Sequence, residues 1–280
     1  MGADLRDGPR AASRLGVAGW PVGHSRSPAM HNAALAQVGL RDWRYQLLPL
    51  PPELFGEAIA ALPGAGFRGI NVTIPHKQAA LARADRASSR AAAIGAANTL
   101  LFGEGGVDAD NTDGPALVAE LPVEIAGASA LVLGAGGSAR AAVWALLDAG
   151  ADEVRVYNRT HARARALCAE LGGTPVEKPG PADILVNCTP AGLVQPARSF
   201  EELPIAQDEV TAYGCVVDLV YATEQTALIR EAHAREIPTV AGLELLVAQG
   251  ALSFELFTGR PAPIETMRAA AGAPLSCGPR

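Results

Sequence analysis

The run Gly134-Ala135-Gly136-Gly137-Ser138-Ala139 follows an apolar segment at 130–133 and opens an alanine-rich one at 139–149. In that setting the spacing G-x-G-x-x-A calls for a strand, a tight turn and a helix packed closely on the strand. Gly134 allows the turn, Gly136 lets backbone approach a pyrophosphate, and Ala139 keeps the helix near the sheet. The helix N-terminus then faces the anion with free N–H groups. Such a unit requires a right-handed crossover to a parallel neighbour, so it points to an α/β fold rather than a bundle or a sandwich.

The flanking chain supplies the neighbours. After the turn, β-rich runs at 154–157, 184–188, 216–219 and 239–240 alternate with helical patterns at 139–149, 161–171 and 226–235. An earlier series has strands at 15–19, 45–50, 69–73 and 97–102, with helices at 28–38, at 53–62 and after Pro75. Asn111-Thr112-Asp113-Gly114 supplies capping residues for a bridging helix over 115–121. Residues 243–271 read as helical with an interruption at 259–263, and without strands of their own they are expected to fold back on the first series.

The predicted fold class is α/β with two domains. Residues 1–112 plus 247–280 are expected to form an α/β substrate domain, and residues 113–246 a Rossmann-type dinucleotide-binding domain with a parallel sheet. Residues 1–13 and 274–280 are expected to be loose termini.

Composition fits this plan and narrows the function. The chain has 280 residues, of which 49% are hydrophobic and only 5% aromatic, so its apolar material is small and aliphatic, as close helix-on-sheet packing favours. A net charge of -6 argues against a broad nucleic-acid surface, which needs a concentrated excess of Lys and Arg. No apolar run approaches the roughly 18 residues of a membrane span, and the first residues lack the apolar core of a secretion signal. A cytoplasmic protein, monomer or homodimer, is expected. Cys168, Cys188, Cys215 and Cys277 lack CxxC spacing, so ordinary reduced thiols and no metal site are expected.

The strand after the glycine turn bears on the cofactor. An NAD site usually carries an acidic residue at that strand's end to bond the ribose 2′-hydroxyl. Here the strand ends in Asn158-Arg159-Thr160, while Asp152 and Glu153 stand at its start. Arg159 and Arg163 are suited to a 2′-phosphate, whose oxygens match a guanidinium fork. NADP is therefore predicted over NAD.

Four polar clusters mark the first domain: His24-Ser25-Arg26-Ser27-Pro28, Asn71-Val72-Thr73-Ile74-Pro75-His76-Lys77, Ala96-Ala97-Asn98-Thr99-Leu100 and Asp110-Asn111-Thr112-Asp113-Gly114. Each lies in or beside a strand-to-helix connection, where α/β sheets gather their ligands. Hydroxyls, amides, one Lys and one Asp suit a polyol bearing a carboxylate.

These clusters, with the glycine turn, Asn158-Arg159-Thr160, Asn187-Cys188-Thr189-Pro190-Ala191-Gly192, Asp218-Leu219-Val220-Tyr221 and Gly242-Leu243-Glu244-Leu245-Leu246-Val247-Ala248-Gln249, resemble the shikimate dehydrogenase family and its quinate-oxidising relatives over about 14–272. The resemblance implies hydride exchange between a nicotinamide and the 3-hydroxyl of shikimate, without a metal. It makes Lys77 the catalytic lysine and Asp113 its paired, substrate-holding aspartate. Ser25 and Ser27 become carboxylate ligands, with Asn71, Thr73, Asn98, Tyr221 and Gln249 as further substrate contacts. Residues 134–139 and 158–160 with Arg163, Thr189, Leu219 and Gly242 make up the implied cofactor site.

The chemistry suits those roles, since an ammonium beside the reacting oxygen both offsets developing charge and delivers a proton. Asp113 also suits a helix cap. His24 and His76 are assigned no catalytic role, and His76 and Glu244 depart from the residues common in the family. Serine at both 25 and 27 favours shikimate modestly, leaving quinate or an amino analogue open. A silent NADP-binding regulator of the same fold is the reading from another class, opposed by the joint presence of Lys77, Asp113 and the cofactor turn. A hinge is expected near Asp113 and Val247.

Overall fold

The structure, a computed structural model, describes residues 13–222 and 224–272. The expectations for residues 1–12, for 274–280 and for Cys277 fall outside them; Ser13, expected in the loose terminus, is instead buried, its carbonyl accepting from the Arg44 N–H at 3.0 Å. The first part of the chain forms β1 (Arg14–Gly19), α1 (Ser27–Gln37), β2 (Arg44–Pro49), α2 (Phe55–Ala61), β3 (Phe67–Val72), α3 (Lys77–Ala82), β4 (Arg86–Ala87), α4 (Ser89–Ile94), β5 (Thr99–Gly103) and β6 (Gly106–Asp110). Helix α5 (Asp113–Glu120) leads to β7 (Ser129–Leu133), α6 (Gly137–Asp148), β8 (Glu153–Tyr157), α7 (His161–Leu171), β9 (Thr174–Val176), β10 (Ala182–Asn187), β11 (Tyr213–Asp218), α8 (Ala227–Ala234) and β12 (Thr239–Val240). The chain ends in α9 (Gly242–Thr258) and α10 (Ile264–Gly272).

Two six-stranded sheets result. The second, in the order β12-β11-β10-β7-β8-β9, is parallel throughout, as the alternation of strands and helices requires. Its order reverses between β7 and β10, and a crevice at the carboxyl ends of two such strands is where α/β sheets bind ligands. The glycine turn leaves β7 there: Gly134 donates to the Tyr157 carbonyl at 2.8 Å, and Cys188 after β10 donates to the Leu133 carbonyl at 2.9 Å.

The first sheet, in the order β2-β1-β3-β5-β6-β4, is mixed. β1 pairs in parallel with β2 and β3, whereas β5 runs antiparallel to both β3 and β6. The simple strand–helix alternation read from the sequence fails here because β5 and β6 form a hairpin, turned by Glu104-Gly105 with Gly106 at φ 102°. That hairpin holds Asn98 before β5 and Asp113 after β6 on one side of the sheet, which the site needs. Helix α4, also absent from the sequence reading, has legible ends: the Ser88 hydroxyl accepts from the Ala91 N–H at 3.1 Å, and Gly95 is left-handed at φ 70°.

The C-terminal helices fold back as expected. Met30 and Ala34 of α1 share one core with Val247, Phe254 and Phe257 of α9 and Met267 of α10. Close packing is enforced at Gly250, where a Cβ would sit 2.3 Å from the Met30 methyl. Helix α9 serves both halves, with Leu245 in the core of the second sheet and Leu246 in that of the first. Among the described residues no helix is long and apolar enough to cross a membrane.

Two buried titratable groups give the fold opposing pH responses. His31 is fully buried and stacks on Tyr45 at 4.2 Å, and burial pulls its pKa from 6.5 down to about 3. The folded ring must stay neutral while the unfolded one protonates, so this contribution is present above pH 6.5 and lost as pH falls toward 3. Asp218 accepts from Asn187, Thr226 and the Val220 N–H, yet burial still raises it from 3.8 to about 6. Its contribution is complete below pH 3.8 and is lost as pH rises through 6. His31→Phe keeps a ring in the stack and removes the titration. Denaturant unfolding across pH 4 to 7 is expected to show the variant losing less stability on acidification, by up to about 1.4 kcal/mol per pH unit. An unchanged slope contradicts the assignment.

Candidate active site

Helix α3 begins at Lys77, after a turn in which the His76 N–H donates to the Thr73 carbonyl at 2.9 Å. The Lys77 side chain, 12% exposed, reaches Asp113 with Nζ to Oδ2 at 2.6 Å. Asp113 is the first residue of α5; the N-cap position is Thr112, which makes no side-chain cap bond, and it is Asn111 whose Oδ1 accepts from the Asp113 N–H at 3.0 Å. The carboxylate is thus free to face the lysine. Its other oxygen accepts from Asn98 Nδ2 at 2.8 Å, so both oxygens are fixed.

All nine side chains that the sequence assigned to the substrate border one cavity of about 150 Å³: Ser25, Ser27, Asn71, Thr73, Lys77, Asn98, Asp113, Tyr221 and Gln249. Leu219, Gly242 and Ser138 of the second half complete its wall, so both sheets contribute. Burial raises the Tyr221 and Tyr45 phenols above their ordinary range, with the Ser25 hydroxyl beside Tyr221 and the Ser27 hydroxyl beside Tyr45 pulling the other way. Tyr221 therefore stays a neutral hydroxyl beside the serines.

Asn71 is placed differently from the expectation of a direct ligand. Its Nδ2 donates to Thr99 Oγ1 at 3.2 Å and the Asn98 carbonyl at 3.3 Å, while its Oδ1 accepts from Tyr45 at 2.7 Å and Ser253 at 3.3 Å. With every amide position engaged, Asn71 acts first as a brace of the cavity wall. Sequence reasoning missed Tyr45, Thr99 and Ser253. Tyr45 and Ser253 lie outside the polar clusters, and only the fold brings them to Asn71.

The glycine turn shows why each small residue stands where it does. Gly134 sits at φ 111°, closed to most side chains, and a Cβ there would lie 3.3 Å from the Cys188 carbonyl carbon. A Cβ on Gly136 would meet nothing within 4 Å, leaving open space at the cap of α6 into which a phosphate fits. Ala139 is fully buried under the helix. Gly137, in contrast, is small because of Lys77: a Cβ there would come within 2.7 Å of the lysine Cβ.

Ala135, Gly136, Gly137, Ser138 and Arg163 border a second cleft beside the turn. Arg159, just beyond β8 at the same sheet edge, is exposed and makes no hydrogen bond or ion pair among the described residues. A guanidinium without a partner among the described residues, at the carboxyl end of the strand next to β7, suits a dinucleotide carrying an extra phosphate. Asn158 donates to the Thr160 carbonyl at 2.9 Å, which ties down the turn after β8. Thr189 borders neither space, and its hydroxyl donates to Asn187 at 2.6 Å, which shapes the turn after β10. Gly242 is required by contact, since a Cβ would lie 2.5 Å from the Val220 carbonyl carbon.

The departures noted in sequence have structural roles. Glu244 is exposed and accepts from the Ala241 N–H at 2.7 Å, capping α9. His76 is buried, stacks on Phe55 at 4.3 Å and donates from Nε2 to the Leu50 carbonyl at 2.7 Å. His24 lies against Tyr221 with ring centres 6.5 Å apart. Burial pushes the Cys188 thiol up against the pull of Lys77, so it stays protonated; Cys168 and Cys215 are buried.

The fold and site together define a two-domain α/β protein in which a dinucleotide-type turn meets a lysine–carboxylate pair at a polar cavity. Residues 17–100 match the shikimate dehydrogenase substrate binding domain, residues 117–211 the shikimate / quinate 5-dehydrogenase family, and residues 242–271 the shikimate 5'-dehydrogenase C-terminal domain. The shikimate dehydrogenase (NADP(+)) of Thermus thermophilus is 44% identical over 257 residues, covering 88% of this chain and 92% of its own. A crystal structure of shikimate 5-dehydrogenase from Thermus thermophilus, in complex with NADP(H) and shikimate, superposes with a TM-score of 0.82 at 41% identity, covering 92% of this chain and 98% of that one. The ligand-free 5-ketofructose reductase of a Gluconobacter strain has a TM-score of 0.81 at 29% identity, covering 94% and 99%. The chain belongs to the shikimate dehydrogenase family.

Proposed function

We infer that the chain is an NADP-dependent shikimate dehydrogenase that interconverts shikimate and 3-dehydroshikimate, a reaction of aromatic amino acid (chorismate) biosynthesis. The observation that carries this reading is the meeting of the Lys77–Asp113 pair with Ser25 and Ser27 in one cavity closed by Leu219 and Gly242. When bound, the nicotinamide supplies the hydride for reduction and takes it up in oxidation. Lys77 delivers a proton to the oxygen on carbon 3 as the C=O bond becomes C–O–H, and recovers it when the C–H bond breaks in the opposite direction. Its charge also offsets the negative charge building on that oxygen. Asp113 aims the ammonium and holds a hydroxyl, while the hydroxyls of Ser25, Ser27 and Tyr221 take the carboxylate. Because oxidation releases a proton, raising the pH favours it.

The residues at the turn support NADP: open space at Gly136, and Arg159 and Arg163 for the 2′-phosphate. The same reading divides the chain at 112/113 and within α9 at 246/247, with hinges at those points, and puts the reaction in the cytoplasm. Its test is a panel of shikimate, quinate and an aminoshikimate with NADP and with NAD, followed by NADPH absorbance. Shikimate with NADP is expected to give the highest kcat/KM, ahead of quinate by about tenfold or more, since small substituent differences in a pocket are worth roughly 1–3 kcal/mol. A higher kcat/KM on quinate, or with NAD, overturns that choice.

A further inference from the structure

Lysine presents three N–H donors on one nitrogen at the end of a flexible stem. Asp113 accepts one from Lys77 at 2.6 Å, and the Ser138 hydroxyl accepts another at 2.9 Å. The two acceptors come from different parts of the fold. Asp113 opens α5, whereas Ser138 is carried by the glycine turn in the first turn of α6. With both in place, one N–H remains, and Lys77 borders the substrate cavity.

A second contact ties the turn to the lysine stem. Gly137 lies so close that a Cβ would fall 2.7 Å from Lys77 Cβ and 3.0 Å from Cδ. Lys77 and Ser138 both border the substrate cavity and the cleft beside the turn. Their hydrogen bond therefore lies where the two spaces meet.

We propose that Ser138 is a positioning residue for Lys77: its hydroxyl holds one ammonium hydrogen so that, with Asp113 holding another, the third is directed at the reacting oxygen. One acceptor alone leaves the ammonium free to rotate about its N···O axis; the second removes that freedom. The lysine is aligned when the dinucleotide turn is docked against α3. This role rests on the reaction proposed above and differs from a serine that only serves the cofactor, which would act on NADP affinity.

The two roles separate in Ser138→Ala and Ser138→Thr. The measurements are steady-state shikimate oxidation and, without turnover, the Kd for NADP from quenching of tryptophan fluorescence. The Ala variant is expected to lower kcat roughly tenfold, the scale of one hydrogen bond to a charged group. KM for shikimate and Kd for NADP stay within about twofold, because uniform binding is untouched. The Thr variant restores most of the rate. An unaltered kcat, weaker NADP binding with kcat intact, or a Thr variant as slow as Ala overturns the proposal. Labelling of Lys77 by an amine-selective acylating reagent, read by peptide mass spectrometry, tests the contact independently of turnover. It is expected to quicken severalfold in Ser138→Ala, since loss of one acceptor frees the amine. Unchanged labelling overturns the proposal, whereas a wild-type protein inert toward shikimate overturns the reaction and leaves the labelling result standing.

Discussion

Lys77→Ala is expected to lower the turnover of shikimate by about 10³-fold or more while NADP binds as before. General acid–base catalysis by a positioned group contributes roughly 10² to 10⁴, and Lys77 adds charge stabilisation at the same atom. The cofactor is spared because alanine keeps the Cβ that packs on Gly137, and the cations for the 2′-phosphate, Arg159 after β8 and Arg163 in α7, are untouched. Asp113, 17% exposed, loses its cation and keeps only the Asn98 bond on its other oxygen, so a loss of stability accompanies the change. Lys77→Arg preserves the charge but is expected to remain slow, since a guanidinium does not give up its proton and its planar fork does not fit a site built around one nitrogen. Initial rates with saturating NADP, together with a fluorescence titration of NADP, check this. A near-normal rate in either variant contradicts the assignment.

Arg159→Ala is expected to raise KM for NADP by about 10²-fold and to leave KM for NAD and the rate at saturation almost unchanged. Among the described residues Arg159 has no carboxylate partner to lose, so its removal costs the fold little. A hydrogen bond to a charged group is worth about 1.5–3 kcal/mol, and a guanidinium makes two to a phosphate. Arg163, exposed in the first turn of α7 and bordering the cleft, supplies a smaller share. The loss should shrink at high ionic strength, because exposed charges are screened. Equal losses with NAD and NADP contradict a 2′-phosphate role and make Arg159 a general cofactor contact.

The parts of this molecule legible in its sequence are those where one residue type meets one physical demand. The turn at 134–139 was readable because positive φ, open space and close packing each require a small residue, and a strand and a helix flank it. The polar clusters marked seven of the nine cavity residues because hydroxyls and amides at strand ends have few other uses, whereas Tyr221 and Gln249 stood out only through the family resemblance. What remained hidden depends on distance along the chain. The antiparallel β5–β6 hairpin replaced an expected plain alternation because two short strands and a glycine-turned loop carry little periodic signal. The bracing of Asn71 by Tyr45 and Ser253 joins residues 26 and 182 positions away, and no local pattern reports it. Gly137 read as part of a dinucleotide motif, but its Cβ position is taken by Lys77 from the other half.

The central claim is that shikimate gives its carbon-3 hydrogen directly to NADP in the cavity of Lys77 and Asp113. Shikimate carrying deuterium at carbon 3 tests it most directly, with the wild-type protein and NADP and mass analysis of both products. Reduced NADP is expected to form only with shikimate present and to carry the deuterium. No reduced NADP, or reduced NADP without the label, contradicts it.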